Sequence, residues 1–216
     1  LGVGRRVRSE EFVNGRLPFE LLGVCVSIGG ARAPVFDVFP NQLNVQVPAI
    51  TGATAGVRVT VNCGSPLEQT SDPETVALAA AAPEFLYLTA SPDGRNPVAA
   101  LQSVAGTLVG PESIPGARPA RAGDIVTVYG TGFGRTNPAV AAGEFPPTVA
   151  RVTGSVTVRL GGQVLAPADV LYVGVVPFSV IYQVNLRVPA GVNGNVPLTI
   201  TVDGQTSPEG AYLAVQ

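Results

Sequence analysis

Two stretches of this chain are near copies of one another: Asn41 to Pro48 reads NQLNVQVP, and Tyr182 to Pro189 reads YQVNLRVP. In the first, Leu43, Val45 and Val47 alternate strictly with Gln42, Asn44 and Gln46; in the second, Val184, Leu186 and Val188 alternate with Gln183, Asn185 and Arg187. A period of two puts one set of side chains on each face of an extended backbone, so both copies read as half-buried strands. A strand written twice at this separation implies two units of one build.

The flanking sequence repeats too. Val24, Val26 and Ile28 alternate with Cys25 and Ser27 and close on Gly29-Gly30, while Val156, Val158 and Leu160 alternate with Ser155, Thr157 and Arg159 and close on Gly161-Gly162. Each then runs through Ala and Pro into a second strand, Pro34 to Phe39 or Val170 to Val173, in the manner of a hairpin. After the copied strand come Val57, Val59 and Val61 in one unit and Leu198, Ile200 and Val202 in the other. Each series ends in a turn, Asn62-Cys63-Gly64 or Asp203-Gly204, and a closing strand, Thr75 to Ala79 or Ala211 to Val215. Four shared elements in one order make a tandem repeat. No segment sustains a 3.6-residue period, and the best helix candidate, Val76 to Ala82, stops at Pro83. With 26 Gly and 20 Pro to turn corners, 216 residues fit two antiparallel β-sandwiches of about 100 residues each.

The expected boundaries are 1–82 for the first sandwich, 83–122 for a connector and 123–216 for the second sandwich. The connector has turns at Pro92-Asp93-Gly94 and Gly110-Pro111 and a short hairpin within Val98 to Val109. It is too apolar for a free linker, so it should pack on one or both sandwiches. The second unit opens with a strand from Ile125 that the first cannot match, because an equal step back from Val24 falls before residue 1. The first sandwich is therefore expected to lack its opening strand and to expose an edge able to recruit one, with Leu1-Gly-Val-Gly4 as the remnant of a glycine corner. Leu1 to Leu22 reads as a loop with a turn at Asn14-Gly15. A first residue that is Leu and the absence of Met mark a fragment or processed product of a larger parent chain, and this stretch shows neither a cleavable leader nor an apolar run long enough to span a membrane.

The composition closes off several kinds of chemistry. A net charge of −2 without a basic cluster offers nothing to a nucleic-acid backbone. The absence of His removes the usual general base and every Ser–His or Cys–His arrangement. The acids, among them Asp93, Glu112, Glu144 and Glu209, are scattered over turns and strand ends and read as solvated surface. Two Cys with no His cannot complete a tetrahedral zinc shell without carboxylates, and no D-x-D-x-D run offers a calcium loop, so no metal or cofactor is expected. Gly130-Thr-Gly-Phe-Gly134 has the wrong spacing for a dinucleotide cradle and reads as a turn with positive backbone angles.

The ordered set G-D-I-V-T-V-Y-G-T-G-F-G from Gly123, V-T-V-R-L-G-G from Val156, Y-Q-V-N-L-R-V-P-A-G from Tyr182 and L-T-I-T-V-D-G-Q-T-S from Leu198 resembles the IPT/TIG group of immunoglobulin-like domains. With Asn96-Pro-Val-Ala-Ala and Asp169-Val-Leu-Tyr-Val-Gly174 included, nearly the whole chain is similar to a C-terminal domain family found repeatedly in large secreted or surface proteins of Solibacter-type acidobacteria. The resemblance implies an immunoglobulin-like sandwich in an extracellular, modular setting, and the internal repeat makes it two such sandwiches in tandem, the first lacking its opening strand. It brings no activity and no functional residues. In an immunoglobulin-like frame Cys25 lies in strand C and Cys63 ends strand F, its neighbour. Either they form a disulfide, which implies an oxidising compartment, or they stand as two free thiols, since strict alternation points Cys25 outward and Cys63 inward.

Function is read accordingly as a non-catalytic structural or adhesive module that spaces or presents neighbouring domains of a parent chain. The alternatives are a carbohydrate-binding module, which needs aligned exposed aromatics, and a hydrolase working with two carboxylates. Tyr87, Tyr129, Tyr172, Tyr182 and Tyr212 fall in or beside strands and read as packing; Phe133 and Phe178, in loops, are the candidate contacts for a protein or glycan partner.

Overall fold

Alternation of Val with Thr, Ser and Asn, interrupted every few residues by Gly or Pro, produces strands and tight turns throughout. The computed structural model describes residues 4–216, and among them the regular structure is strands apart from two three-residue 3-10 turns. The chain divides into two compact units, one running to Ala79 and including Val140–Phe145, the other comprising Ala80–Ala139 and Pro146–Gln216.

The first unit contains β1 (Arg5–Arg6), β2 (Val24–Ile28), β3 (Ala31–Ala33), β4 (Val35–Phe39), β5 (Gln42–Val45), β6 (Thr54–Val61), β7 (Gln69–Thr70) and β8 (Glu74–Ala77). They form two sheets, β1-β4-β5 and β3-β2-β6-β7, with β8 also on β6. β2 makes its hairpin with β3, and β4 belongs to the opposite sheet, which corrects the expectation that β2 and β4 are hairpin partners. The crossing falls at Pro34, which has no N–H to continue a ladder. The opening segment is also more than a loop. Arg5–Arg6 pairs with β4, Asn14 and Gly15 turn with φ of 52° and 72°, and Leu17 and Leu21 are buried.

The second unit contains β9 (Glu84–Phe85), β10 (Asn96–Pro97), β11 (Ala100–Gln102), β12 (Leu108–Val109), β13 (Ile125–Thr131), β14 (Thr136–Asn137) and β15 (Ala150–Val152). It continues with β16 (Val156–Leu160), β17 (Gln163–Val164), β18 (Val170–Val175), β19 (Tyr182–Arg187), β20 (Gly194–Val202), β21 (Gln205–Thr206) and β22 (Ala211–Val215). One sheet runs β10-β22-β20-β16-β17 with β21 on β20; the other runs β12-β11-β13-β19-β18-β15-β14 with β9 on β13. Residues 83–122 thus supply β9 to β12 to these sheets, and Val98, Ala100 and Val109 are buried in the core with Val126, Val128, Val184, Leu186, Leu198 and Ile200.

Strands β1 to β8 follow the order and pairing of β15 to β22. The ladder between β4 and β5 slips between Val35 and Asp37, and that between β18 and β19 slips at the matching place, between Val170 and Tyr172. Minor contacts recur as well. Gln42 Nε2 donates to Asn44 Oδ1 at 2.8 Å and Gln183 Nε2 to Asn185 Oδ1 at 2.9 Å; Ser71 Oγ accepts from Val59 N–H and Ser207 Oγ from Ile200 N–H, both at 3.1 Å.

The second unit has strands without counterparts among the described residues of the first, and β13 is the longest of them, pairing with β19 from Ile125↔Arg187 to Gly130↔Tyr182. The fold is therefore two tandem immunoglobulin-like antiparallel β-sandwiches, and among the described residues the first lacks an opening strand equivalent to β13. Of the expected glycine-corner remnant, residues 1–3 lie outside the described residues, and Gly4 packs against Val38 and Phe39 of β4. β1 occupies the place of β15, on the edge of β4 away from β5, because its Arg5↔Val38 and Arg6↔Asp37 pairs parallel Ala150↔Val175 and Arg151↔Gly174.

Candidate functional site

Cys25 and Cys63 form a disulfide, with Cα atoms 6.1 Å apart. β2 and β6 are neighbours with Cys25 opposite Thr60, and Cys63 N–H donates to Gly23 O at 2.9 Å, so the chain returns alongside β2 before the bond closes. Alternation places Cys25 on the face opposite Val24 and Val26, yet all three are buried, so β2 is covered on both faces. Arg32 Nη1 donates to Cys63 Sγ at 2.9 Å. A bridge across 38 residues contributes about 3–4 kcal/mol on the chain-entropy account.

Phe133 is a correction. It is fully buried, with its ring edge-on to Phe85 at 6.3 Å and tilted against Tyr182 at 5.4 Å, so it presents nothing to a partner. The glycines around it explain why a loop residue reaches the core: a Cβ on Gly130 would stand 2.4 Å from Phe133 Cζ, and one on Gly132 (φ +72°) 1.9 Å from Ala82 O. The glycine corner is a close-packed turn.

Phe178 stands at the opposite extreme, 90% exposed. It occupies the second central position of a turn in which Ser179 N–H donates to Val176 O at 3.2 Å, after Pro177, and its φ is +62°. That is the type II pattern, in which glycine is the usual occupant because a Cβ crowds the backbone. The pairing Ala150↔Val175 puts exposed Val149 at the same end of the sheet, so the tip of the second unit carries apolar surface.

The tyrosines pack as read from the sequence. Tyr172 Oη donates to Val175 O at 2.7 Å and Ala150 O at 3.2 Å, Tyr182 Oη to Gly134 O, and Tyr87 Oη to Glu84 Oε1. Burial first, and then the neighbouring Glu84 carboxylate, push the Tyr87 phenol above its ordinary range; burial likewise raises Tyr172 and Tyr182. Phe19 and Phe178 are the exposed aromatics among the described residues, one in each unit, so neither unit presents a row of rings. Among the described residues no three His, Cys, Asp or Glu side chains gather as metal ligands, and no helix is long and apolar enough to cross a membrane.

Sequence reasoning missed Asp37. Its buried carboxylate accepts from Arg6 Nε at 3.0 Å and Asn44 Nδ2 at 2.7 Å, fastening β1 and β5 to the slipped position of β4 where Tyr172 stands in the second unit. An acid inside the apolar run Val35-Phe-Asp-Val-Phe39 was the available signal.

These strands and turns can be set beside known proteins. Residues 114–213 match the IPT/TIG domain family. That span covers β13 to β21 and most of β22, with the opening strand of the sandwich in place. Among solved structures, the chain is similar to one described as "Structures of Clostridium thermocellum CbhA fibronectin(III)-like modules", at 10% identity over 95% of this chain and 82% of that one, with a TM-score of 0.24. No curated protein matches the sequence.

Proposed function

We propose that the chain is a non-catalytic structural or adhesive part of a secreted or cell-surface bacterial protein, one that spaces or presents neighbouring domains of a longer parent chain. The observation that carries this reading is the IPT/TIG match laid over a sandwich whose interior is Val, Leu and Ile side chains. The Cys25–Cys63 bond supports an oxidising compartment, and the resemblance of the ordered motifs to the Solibacter-type secreted family points the same way. In this reading Phe178 is a contact for a protein or glycan partner, since a large apolar ring kept exposed at a strained turn has no packing duty to explain it. A sugar-binding role would need flat rings in line on one face, and among the described residues each unit offers one exposed ring.

The test is topological. A parent protein tagged beside this chain is expected to lose the tag to protease added to intact cells, and its two cysteines to resist alkylation until a reductant is added. Protection of the tag together with two readily alkylated thiols would place the protein inside the cell and end this reading. Turnover of a polysaccharide or ester substrate by the isolated chain would end the non-catalytic part of it.

A further inference from the structure

The two units give the same strand two different surroundings. In the second, β19 is flanked by β18 on one edge and β13 on the other, and Val184, Leu186 and Val188 are buried. In the first, β5 has β4 on one edge, and no strand pairs with its other edge among the described residues. Leu43 and Val45, which correspond to Val184 and Leu186, are only half-buried, and Val47, which corresponds to Val188, is 56% exposed.

The free backbone groups can be assigned. Gln46 N–H donates to Pro34 O at 2.9 Å, so the amides of even-numbered residues in this strand face β4. Successive amides of a strand point to opposite edges, which turns those of Leu43, Val45 and Val47 towards the open one. The second unit shows the same phase with its partner in place: Val188 N–H donates to Asp124 O at 2.9 Å, and Val188 O accepts from Gly123 N–H at 2.8 Å.

We infer that the outer edge of β5 is an acceptor site for an added antiparallel strand with the chemistry of β13: an extended partner segment of alternating β-branched residues, closed by glycine. The occupant is specified by the molecule's own second unit, where Val126 and Val128 of β13 are fully buried between the sheets. The added strand would take its affinity from main-chain hydrogen bonds to residues 43, 45 and 47 and its selectivity from two inward Val-like side chains resting on Leu43 and Val45. This goes beyond the spacing role and does not depend on it.

The probe is a synthetic peptide of residues 124–131, DIVTVYGT, added to the whole chain while amide hydrogen exchange is followed residue by residue. Exchange at Leu43, Val45 and Val47 is expected to be fast in the free chain and to slow by about tenfold or more with peptide. A peptide with Val126 and Val128 replaced by Lys should have no effect. Val45→Pro, which removes one outward N–H from an edge strand and leaves the β4 ladder its donors, should abolish the response with the fold intact by circular dichroism. If Val45→Pro does not fold, Val47→Lys, at an exposed position, should weaken the response instead. The inference is overturned if the three amides are already protected in the free monomer, if the chain dimerises through β5 itself, or if the peptide protects only β19 by displacing β13.

Discussion

Phe178 holds a backbone conformation that disfavours a Cβ, at a strain of about 1–2 kcal/mol. Phe178→Gly should therefore raise the stability of the second unit by about 0.5–1 kcal/mol in urea titrations, the relieved strain being partly offset by the freer unfolded chain. Gly132 is the reverse case. A methyl group there meets Ala82 O, so Gly132→Ala should cost about 2–4 kcal/mol in the same measurement. Glu11 gives a pH-dependent handle: two hydrogen bonds from Arg5, then one from the Arg8 N–H, hold its carboxyl at about 2 against an ordinary 4.5. A lowered folded-state value means that its contribution is whole above about pH 4.5 and fades as pH falls towards 2. Exchange protection of the β1 amides should follow that window at low salt, and Glu11→Gln should remove the dependence.

At the scale of elements, the duplicated strands were legible because burial on one face enforces alternation, and alternation is visible in a sequence. The slip shared by β4 and β18 was not, since a bulge shows in a sequence as a broken two-residue period, and Val35-Phe-Asp-Val-Phe39 and Val170-Leu-Tyr-Val173 carry apolar residues on both faces, where such a break leaves no mark. Nor was the assignment of β4 to the opposite sheet, where a crossing at Ala33-Pro34 looks like a tight turn. Phe133 was misread because a hydrophobic residue among glycines carries the same local signal whether the loop points out or folds in; only the space left by Gly130 and Gly132 decides it. The cysteine pair was half legible: neighbouring strands could be argued from the frame, but strict alternation gave Cys25 the wrong environment. Reduction tests the bond directly. Dithiothreitol, or Cys25→Ser with Cys63→Ser, should lower the stability of the first unit by about 3–4 kcal/mol and leave the second unchanged.

For the whole molecule, the two sandwiches differ in how well their common strands are covered. β22 is buried along its length beside β10 and β20, while β8, its counterpart, is exposed along its length. Apolar burial is the main favourable contribution to folding, at about 25 cal/mol per Å². Thermal unfolding followed by calorimetry should accordingly show two steps, with the first unit melting at the lower temperature and only that step moving when the disulfide is reduced. A single transition unaffected by reductant would contradict this.

The hexapeptide Val140–Phe145 belongs to the first unit although it lies far along the chain from the rest of it. Gly143 O accepts from Leu17 N–H at 2.8 Å, Gly143 N–H donates to Gln46 Oε1 at 2.6 Å, and the rings of Phe145 and Phe12 meet edge to face at 5.1 Å. A gene fragment stopping at codon 79 would consequently encode an incomplete body, and whoever wishes to isolate the amino-terminal half must graft those six residues back or supply them as a separate reagent.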